Sequence, residues 1–222
     1  ETFAGISGSR ESLPQLPDGR FLPAMALTDP ELDFKRRLEA AFPGRRLIPG
    51  RCAHLTEAKA HHQALGRSTC QYRSTCERGC SYGAYFSSLS ATLPAARATG
   101  NLTVITDAVV QRLVYDEKTR RVTGVQVIDA NTLETRTYTA RIVFLCASAI
   151  PTAQILLNST SAYMPGGLAN RSGAVGRYLM DHLWGMGTVG VYPGFEDIYH
   201  RGRRPTGFYI PRYQNLAGAD KF

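Results

Sequence analysis

The chain has 222 residues, 43% of them hydrophobic and 20% charged. That balance suits a globular protein with a sizeable core, one full domain or parts of two, and no run approaches the 18 or so apolar residues of a membrane span. The formal charge of +8 comes from basic residues that are scattered, apart from Arg45-Arg46 and Arg201-Gly202-Arg203-Arg204. With no aromatic-rich RNA-binding stretch beside them, the charge reads as a solvated basic surface and argues against a nucleic-acid partner.

In chain order, Glu1-Thr2-Phe3-Ala4-Gly5 lacks an initiator Met and the basic and apolar regions of a signal peptide. These features suit a piece of a longer protein, so they leave the compartment, periplasmic or cytoplasmic, undefined. Residues 1–28 are rich in Gly, Pro and Ser and read as an ordered loop or lid. Asp29-Pro30-Glu31 predicts a helix start with Asp29 as N-cap, and the helix runs to Pro43-Gly44. Residues 50–66 have a helical tendency, 67–83 form a cysteine- and glycine-bearing loop, and 84–98 form a helix interrupted by Pro94.

The pattern then turns to β-structure. Leu102–Ile105, Val109–Tyr115, Val122–Ile128 and Thr135–Cys146 are predicted strands, with turns at Asp116–Thr119 and Asn131–Glu134. Together they predict a small antiparallel meander. Ile142–Ala147 is continuously apolar and is expected to be a strand buried on both faces, as in a parallel α/β sheet, with Cys146 as a core residue. Ser148–Asn158 is a predicted helix with Pro151 in its first turn. Strand, small-residue turn and helix is the arrangement in which a cofactor approaches backbone at a helix N-terminus. From Trp184 onward, alternating Gly, Val and Tyr predict strands of another sheet. The fold class is therefore mixed α/β (α+β).

The five cysteines are an odd number, and three fall at Cys70-x5-Cys76-x3-Cys80. A small secreted disulfide scaffold would be shorter and evenly paired, so the clustering points to metal or cofactor chemistry. Thiolates hold iron–sulfur clusters or zinc. Three readings of the spacing stay open. One is a three-thiolate cluster site on a loop that Gly79 and Gly83 let wrap tightly, with Arg73 and Arg78 offsetting its charge. The second is a zinc staple, although no second Cys or His pair stands at matched spacing. The third is a set of free thiols, or one disulfide with a spare. Cys52 is a weak candidate for a fourth ligand. Gly185-Met186-Gly187-Thr188-Val189-Gly190 matches G-x-G-x-x-G, but Val191-Tyr192-Pro193-Gly194 cannot continue a helix and no acid lies near position 210. It is read as strand or loop, not as a dinucleotide fingerprint.

Four segments, taken in order, resemble a known family. Gly66-Arg67-Ser68-Thr69-Cys70 through Cys76 to Gly79-Cys80-Ser81-Tyr82-Gly83-Ala84 resembles the cysteine loop of bacterial glucose-methanol-choline (GMC) dehydrogenases. Gly100–Val104, Val109-Val110 and Gly124-Val125 resemble that family's meander near FAD. Ala147–Thr152 with Ile155-Leu156-Leu157 resembles its second signature, and Val175–His182 its GxNLxDH element. Together these cover roughly residues 66–182. Two departures are Ser81, where the family often has Pro, and the absence of a glycine-rich pattern at Ala147–Thr152.

The resemblance implies a partial FAD-binding domain followed by part of a substrate-domain sheet. The expected divisions are 1–65 as a lid or substrate-side segment, 66–100 as cysteine loop and helix, 101–182 as part of the FAD-binding domain, and 183–222 as the start of the substrate-domain sheet. It implies FAD as cofactor, with Val110 contacting the adenine through its backbone and the Ala147-Ser148 turn beside the cofactor. Relatives with the same cysteine spacing include FAD-dependent glucose dehydrogenases, and by that likeness Cys70, Cys76 and Cys80 would hold a [3Fe-4S] cluster. The implied reaction is oxidation of a sugar, polyol or alcohol hydroxyl, with electrons passing to a cytochrome or quinone partner. The family's phosphate loop is expected before residue 1 and its catalytic histidine beyond residue 222. No catalytic residue is therefore expected in this chain, which alone should be inactive, and His182 is read as structural. The alternatives are a metal-stapled interaction module without redox activity and a basic nucleic-acid-binding domain.

Overall fold

The structure is a computed structural model, and it describes residues 2–13, 15–73, 76–182, 187–196 and 207–213. The described residues fall into two compact units, one from Glu1–Leu102 with Val189–Phe222 and one from Thr103–Thr188. Among them, no helix is long and apolar enough to cross a membrane.

The first unit is built mostly from loops. Its helix α1 spans Asp29–Ala41. The N-cap is Thr28, one residue before the expected Asp29, because the Glu31 carboxylate reaches back to accept the Thr28 backbone N–H at 2.7 Å. Strand β1 is Ile48–Pro49 and helix α2 is Ala60–Gln63, so the helical tendency of 50–66 is realised as little more than one turn. A 3₁₀ turn at Cys76–Arg78 lies inside the cysteine loop. The predicted helix over 84–98 is a π-helical turn, Ser88–Thr92, running into α3, Leu93–Ala98, with Pro94 in its first turn. What joins these pieces is a set of backbone bonds between loops. Ser7 and Cys52 exchange two, at 2.8 and 3.1 Å, and Leu22 N–H donates to Ile6 O at 2.8 Å. Leu55 N–H donates to Ala84 O at 3.0 Å, and Cys70 N–H to Leu55 O at 2.8 Å. Met25, Leu47, Ile48, Leu55, Ala84 and Ala91 are buried there, together with the polar side chains of Ser7, His54, His62 and Arg67.

The second unit holds the meander. Strands β2 (Ala108–Asp116), β3 (Arg121–Asp129) and β4 (Thr135–Thr139) pair antiparallel in that order. Asp116 accepts the Lys118 N–H at 2.9 Å and Asp129 accepts the Asn131 N–H at 2.9 Å, so each turn is closed by the aspartate that opens it. Helix α4, Ala149–Asn158, packs on β2. Leu113, Ile155 and Leu168 form the centre of the core. Ser159 fixes the helix to the sheet, since its hydroxyl accepts the Leu113 N–H at 2.8 Å and donates to Ile155 O at 2.6 Å.

Three expectations are corrected. Leu102–Ile105 joins no ladder among the described residues. Ile142–Ala147 is not a strand buried on both faces. Val143, Leu145 and Ala147 pack on the core, while Ile142 and Phe144 are 68% and 83% exposed and Cys146 is exposed. The alternation places every second side chain on a face that no described residue covers. Lastly, 187–196 carries no strand; β5, Phe208–Tyr209, pairs antiparallel with β1, and residues 183–186, including Trp184 and Gly185, lie outside the described residues.

Candidate cofactor and cysteine sites

In the second unit, a cavity of about 600 Å³ opens between β2, the extended segment 144–147 and α4. Val110 and Ala147 both line it, with Gln111, Phe144, Gln154 and Asn158. A β-bulge makes this possible. Val110 pairs with Val127 and Arg112 with Gln126, which leaves Gln111 as the extra residue. Its carbonyl accepts the Asn158 side-chain amide at 3.4 Å. Bulges of this kind bend a strand and re-aim its side chains, and here the bulge lies in the cavity wall. The walls are apolar and the rim carries three amide side chains. That combination suits a flat heteroaromatic group with hydrogen-bonding edges, as in the adenine of FAD.

Ser148 does not line this cavity. It is the N-cap of α4 and sits at φ 71°, ψ 172°, a conformation close to glycine-only, and its side chain makes no capping bond. The departure noted in the sequence therefore has a structural counterpart, a glycine-type turn built with serine. It directs the chain from Ala147, on the cavity wall, into the helix.

In the first unit, the cysteine loop folds around Arg67, which is 1% exposed. Its guanidinium donates to Gly83 O at 2.8 Å, Ala4 O at 3.0 Å, Phe3 O at 3.2 Å and Ala84 O at 3.4 Å. No carboxylate neutralises it among the described residues. Burial pushes its pKa down, and the charge of Cys80 pushes it back up. The cation that Cys80 bears on is thus Arg67, whereas Arg73 and Arg78 are exposed. Gly79 at φ 101° and Gly83 at φ 59° make the positive-φ turns that the wrap needs, and the Gly83 N–H donates to Cys80 O at 2.9 Å. Cys80 also lines a cavity of about 390 Å³ with Gly66, Gly79, Ser87 and Ser90.

Cys70, Cys76, Cys80 and Cys52 are half-buried and in no disulfide. Burial pushes the Cys52 thiol pKa up, and the charges of Cys76 and Cys70 add to that. Among the described residues, no three Cys, His, Asp or Glu side chains converge where a single ion could sit. Zinc needs such convergence, because its thiolates all bond one centre at about 2.3 Å. An iron–sulfur cluster spreads its thiolates over separate irons, and the assignment of one to this loop rests on the resemblance and not on converged side chains. Sequence reasoning missed Arg67 as the charge partner. It also missed Gln111, Gln154 and Asn158 on the cavity rim, since a bulge leaves no local signature in β2. His182 is exposed and stands beside Asp181, whose carboxylate accepts its backbone N–H.

Residues 56–184, more than half of the chain, match the family model described as GMC oxidoreductase. The chain is 42% identical over 66 residues to a 2-methyl-1,2-propanediol dehydrogenase of Mycolicibacterium austroafricanum, covering 30% of this chain and 12% of that protein. It is 31% identical over 117 residues to a fructose dehydrogenase large subunit of Gluconobacter japonicus, covering 53% of this chain and 21% of that protein. The chain thus spans about an eighth and a fifth of these two relatives. A bulged meander, the strand-like segment and helix behind it, and a family match across both establish that the chain belongs to the GMC oxidoreductases.

Proposed function

We propose that this chain is part of an FAD-dependent dehydrogenase that oxidises the hydroxyl of an alcohol, polyol or sugar. Its electrons leave through a [3Fe-4S]-type cluster at Cys70, Cys76 and Cys80. The carrying observation is that Val110 and Ala147, thirty-seven positions apart, line one apolar cavity at the bulge of β2 within the family-matched region. When bound, FAD supplies the hydride acceptor. The protein's part here is positional. The bulged backbone at Val110 offers hydrogen bonds to an adenine edge, Ala147 leaves room at the wall, and the Ser148 turn aims the first amides of α4. The reading assigns deprotonation of the hydroxyl to a histidine outside these 222 residues, and 101–182 to the FAD-binding domain.

At the cysteine loop, Arg67 is positioned to balance thiolate charge. Both relatives are named as dehydrogenases, one of a diol and one of fructose, which supports a hydroxyl-bearing small molecule as substrate. The second is named as a large subunit, which supports a partner subunit, and the reading makes that partner the electron acceptor, a cytochrome or quinone. The test uses the whole protein purified without oxygen. FAD, iron and acid-labile sulfide are measured, and a panel of alcohols and sugars is mixed anaerobically while the flavin absorbance is followed. Substrate-dependent bleaching with iron and sulfide present is the expected result. Bleaching without iron would remove the cluster from the proposal, and a colourless protein would overturn it entirely.

A further inference from the structure

Three consecutive carbonyls, those of Thr2, Phe3 and Ala4, are all held by basic side chains. Arg67 takes the last two, at 3.2 and 3.0 Å. Thr2 O accepts from two imidazoles, His62 Nε2 at 2.9 Å and His61 Nε2 at 3.1 Å. Segment 2–5 thus lies as a strap against α2 and the Arg67 side chain. The approach is close. A Cβ on Gly5, at φ 75°, would run into the Leu55 side chain and come within 3.2 Å of His62 Nε2.

The two imidazoles stand in different surroundings. His61 is exposed, whereas His62 is fully buried. The Lys59 backbone N–H donates to His62 Nδ1 at 3.1 Å. A backbone N–H can only donate, so Nδ1 carries no proton, and the single proton of a neutral ring sits on Nε2, where Thr2 O accepts it. The closed arrangement leaves no place for a second proton, because on Nδ1 it would point at the Lys59 N–H. The ionisable groups that act on the ring are His61, with its ring centroid 3.9 Å away, Arg67 and Lys59, and each opposes a second positive charge. Burial first, then these three, press the His62 pKa below 6.5, against the Thr2 bond, which raises it.

We propose that His62 is an acid-released latch on the strap 2–5: a second proton on Nδ1 turns the ring away from Lys59, frees the Thr2 carbonyl, and lets the Phe3 and Ala4 carbonyls leave Arg67. Above about pH 6.5 the latch holds at full strength. Below that value the open form binds a proton that the closed form refuses, so opening gains about ten-fold per pH unit until the closed form's own lower pKa is reached. Opening takes two of four acceptors from Arg67, so the change reaches the residue around which the cysteine loop folds. The latch involves no cofactor and stands whether or not the redox reading does.

The test uses the whole protein. Exchange of the Lys59 amide, corrected for its intrinsic rate, reports the latch, and thermolysin cleavage within residues 3–6, normalised to a free peptide at each pH, reports the strap. The Leu55 amide, bonded to Ala84 O, reports unfolding of the surroundings. Low urea separates the two events, since a local opening ignores it and unfolding does not. From about pH 6.5 to 5.5, Lys59 protection should fall about ten-fold without responding to urea, and cleavage should rise in step. His62→Gln keeps an N–H for Thr2 O and cannot be charged, so it should remove the fall, and His61→Gln should leave it. Level protection in the wild type, a urea response equal to that of Leu55, cleavage that does not follow, or a fall that persists in His62→Gln overturns the inference. Should His62→Gln not fold, ¹⁵N shifts of the wild-type histidines decide. A ring protonated on Nε2 at neutral pH that gains its second proton as the Lys59 amide opens supports the latch. A proton on Nδ1 at neutral pH, or a second proton gained with the Lys59 amide still protected, refutes it.

Discussion

Ser148 offers a direct test of how the cavity wall is joined to α4. Its φ of 71° and ψ of 172° put a side-chain-bearing residue in a region that is almost entirely glycine's. Such a conformation costs roughly 1–3 kcal/mol. The side chain returns nothing to the helix, because it makes no capping bond, and the first helical bond, Thr152 N–H to Ser148 O at 3.0 Å, belongs to the backbone. Ser148→Gly removes the strain. It adds unfolded-state entropy worth about 0.4–1 kcal/mol against folding. The net expectation is a stabilisation of about 1 kcal/mol. With a urea slope of about 2 kcal/mol/M, the unfolding midpoint should rise by about half a molar at unchanged slope. Ser148→Ala keeps the Cβ and should leave the midpoint within about 0.2 M of wild type. If glycine and alanine behave alike, or glycine lowers the midpoint, the strained-turn argument is wrong.

His54 makes stability depend on pH. Burial lowers its pKa from 6.5 to about 4, so between those values the unfolded chain binds a proton that the folded one refuses. Stability should be flat with respect to this group above pH 6.5 and fall by about 3 kcal/mol as pH drops towards 4. Urea midpoints at several pH values check this, and His54→Gln should remove most of the slope in that window. His62, also lowered chiefly by burial, adds in the same direction. Arg67→Met should destabilise the first unit by about 3 kcal/mol or more, since it strips the donor from four backbone carbonyls. Arg67→Lys should recover less than half of that, because an ammonium cannot span the same fork, and thermal unfolding of the three proteins is the check. Ser159→Ala should cost about 1–3 kcal/mol by leaving the buried Leu113 N–H without an acceptor, and amide exchange at Leu113 should accelerate.

The meander was legible because its information is local. Alternating apolar residues, and an aspartate opening each turn, specify β2, β3 and β4 without reference to distant chain. The start of α1 moved by one residue for an equally local reason, as Glu31 pairs with the Thr28 backbone rather than with Asp29. The segment 142–147 misled because a continuous apolar run reports only that its side chains avoid water. It does not report which face finds a neighbour. Val143 and Leu145 have one in the core, whereas Phe144 is 83% exposed.

At the cysteine loop, the sequence shows three closely spaced thiols but not the side chain that folds beside them. Arg67 is held next to Cys80 only because carbonyls from Phe3 and Ala4, more than sixty positions away, help fill its fork. A buried cation without a carboxylate costs several kcal/mol unless some other charge or dipole compensates. Four carbonyls supply dipoles, and Cys80 raises the Arg67 pKa against the burial that lowers it. Because Cys80 is the cysteine whose charge bears on Arg67, the reactivity of Cys80 towards alkylating reagents should fall in Arg67→Met more than that of Cys70. Equal loss at both cysteines would mean that the arginine acts on the loop's fold and not on the sulfur's charge.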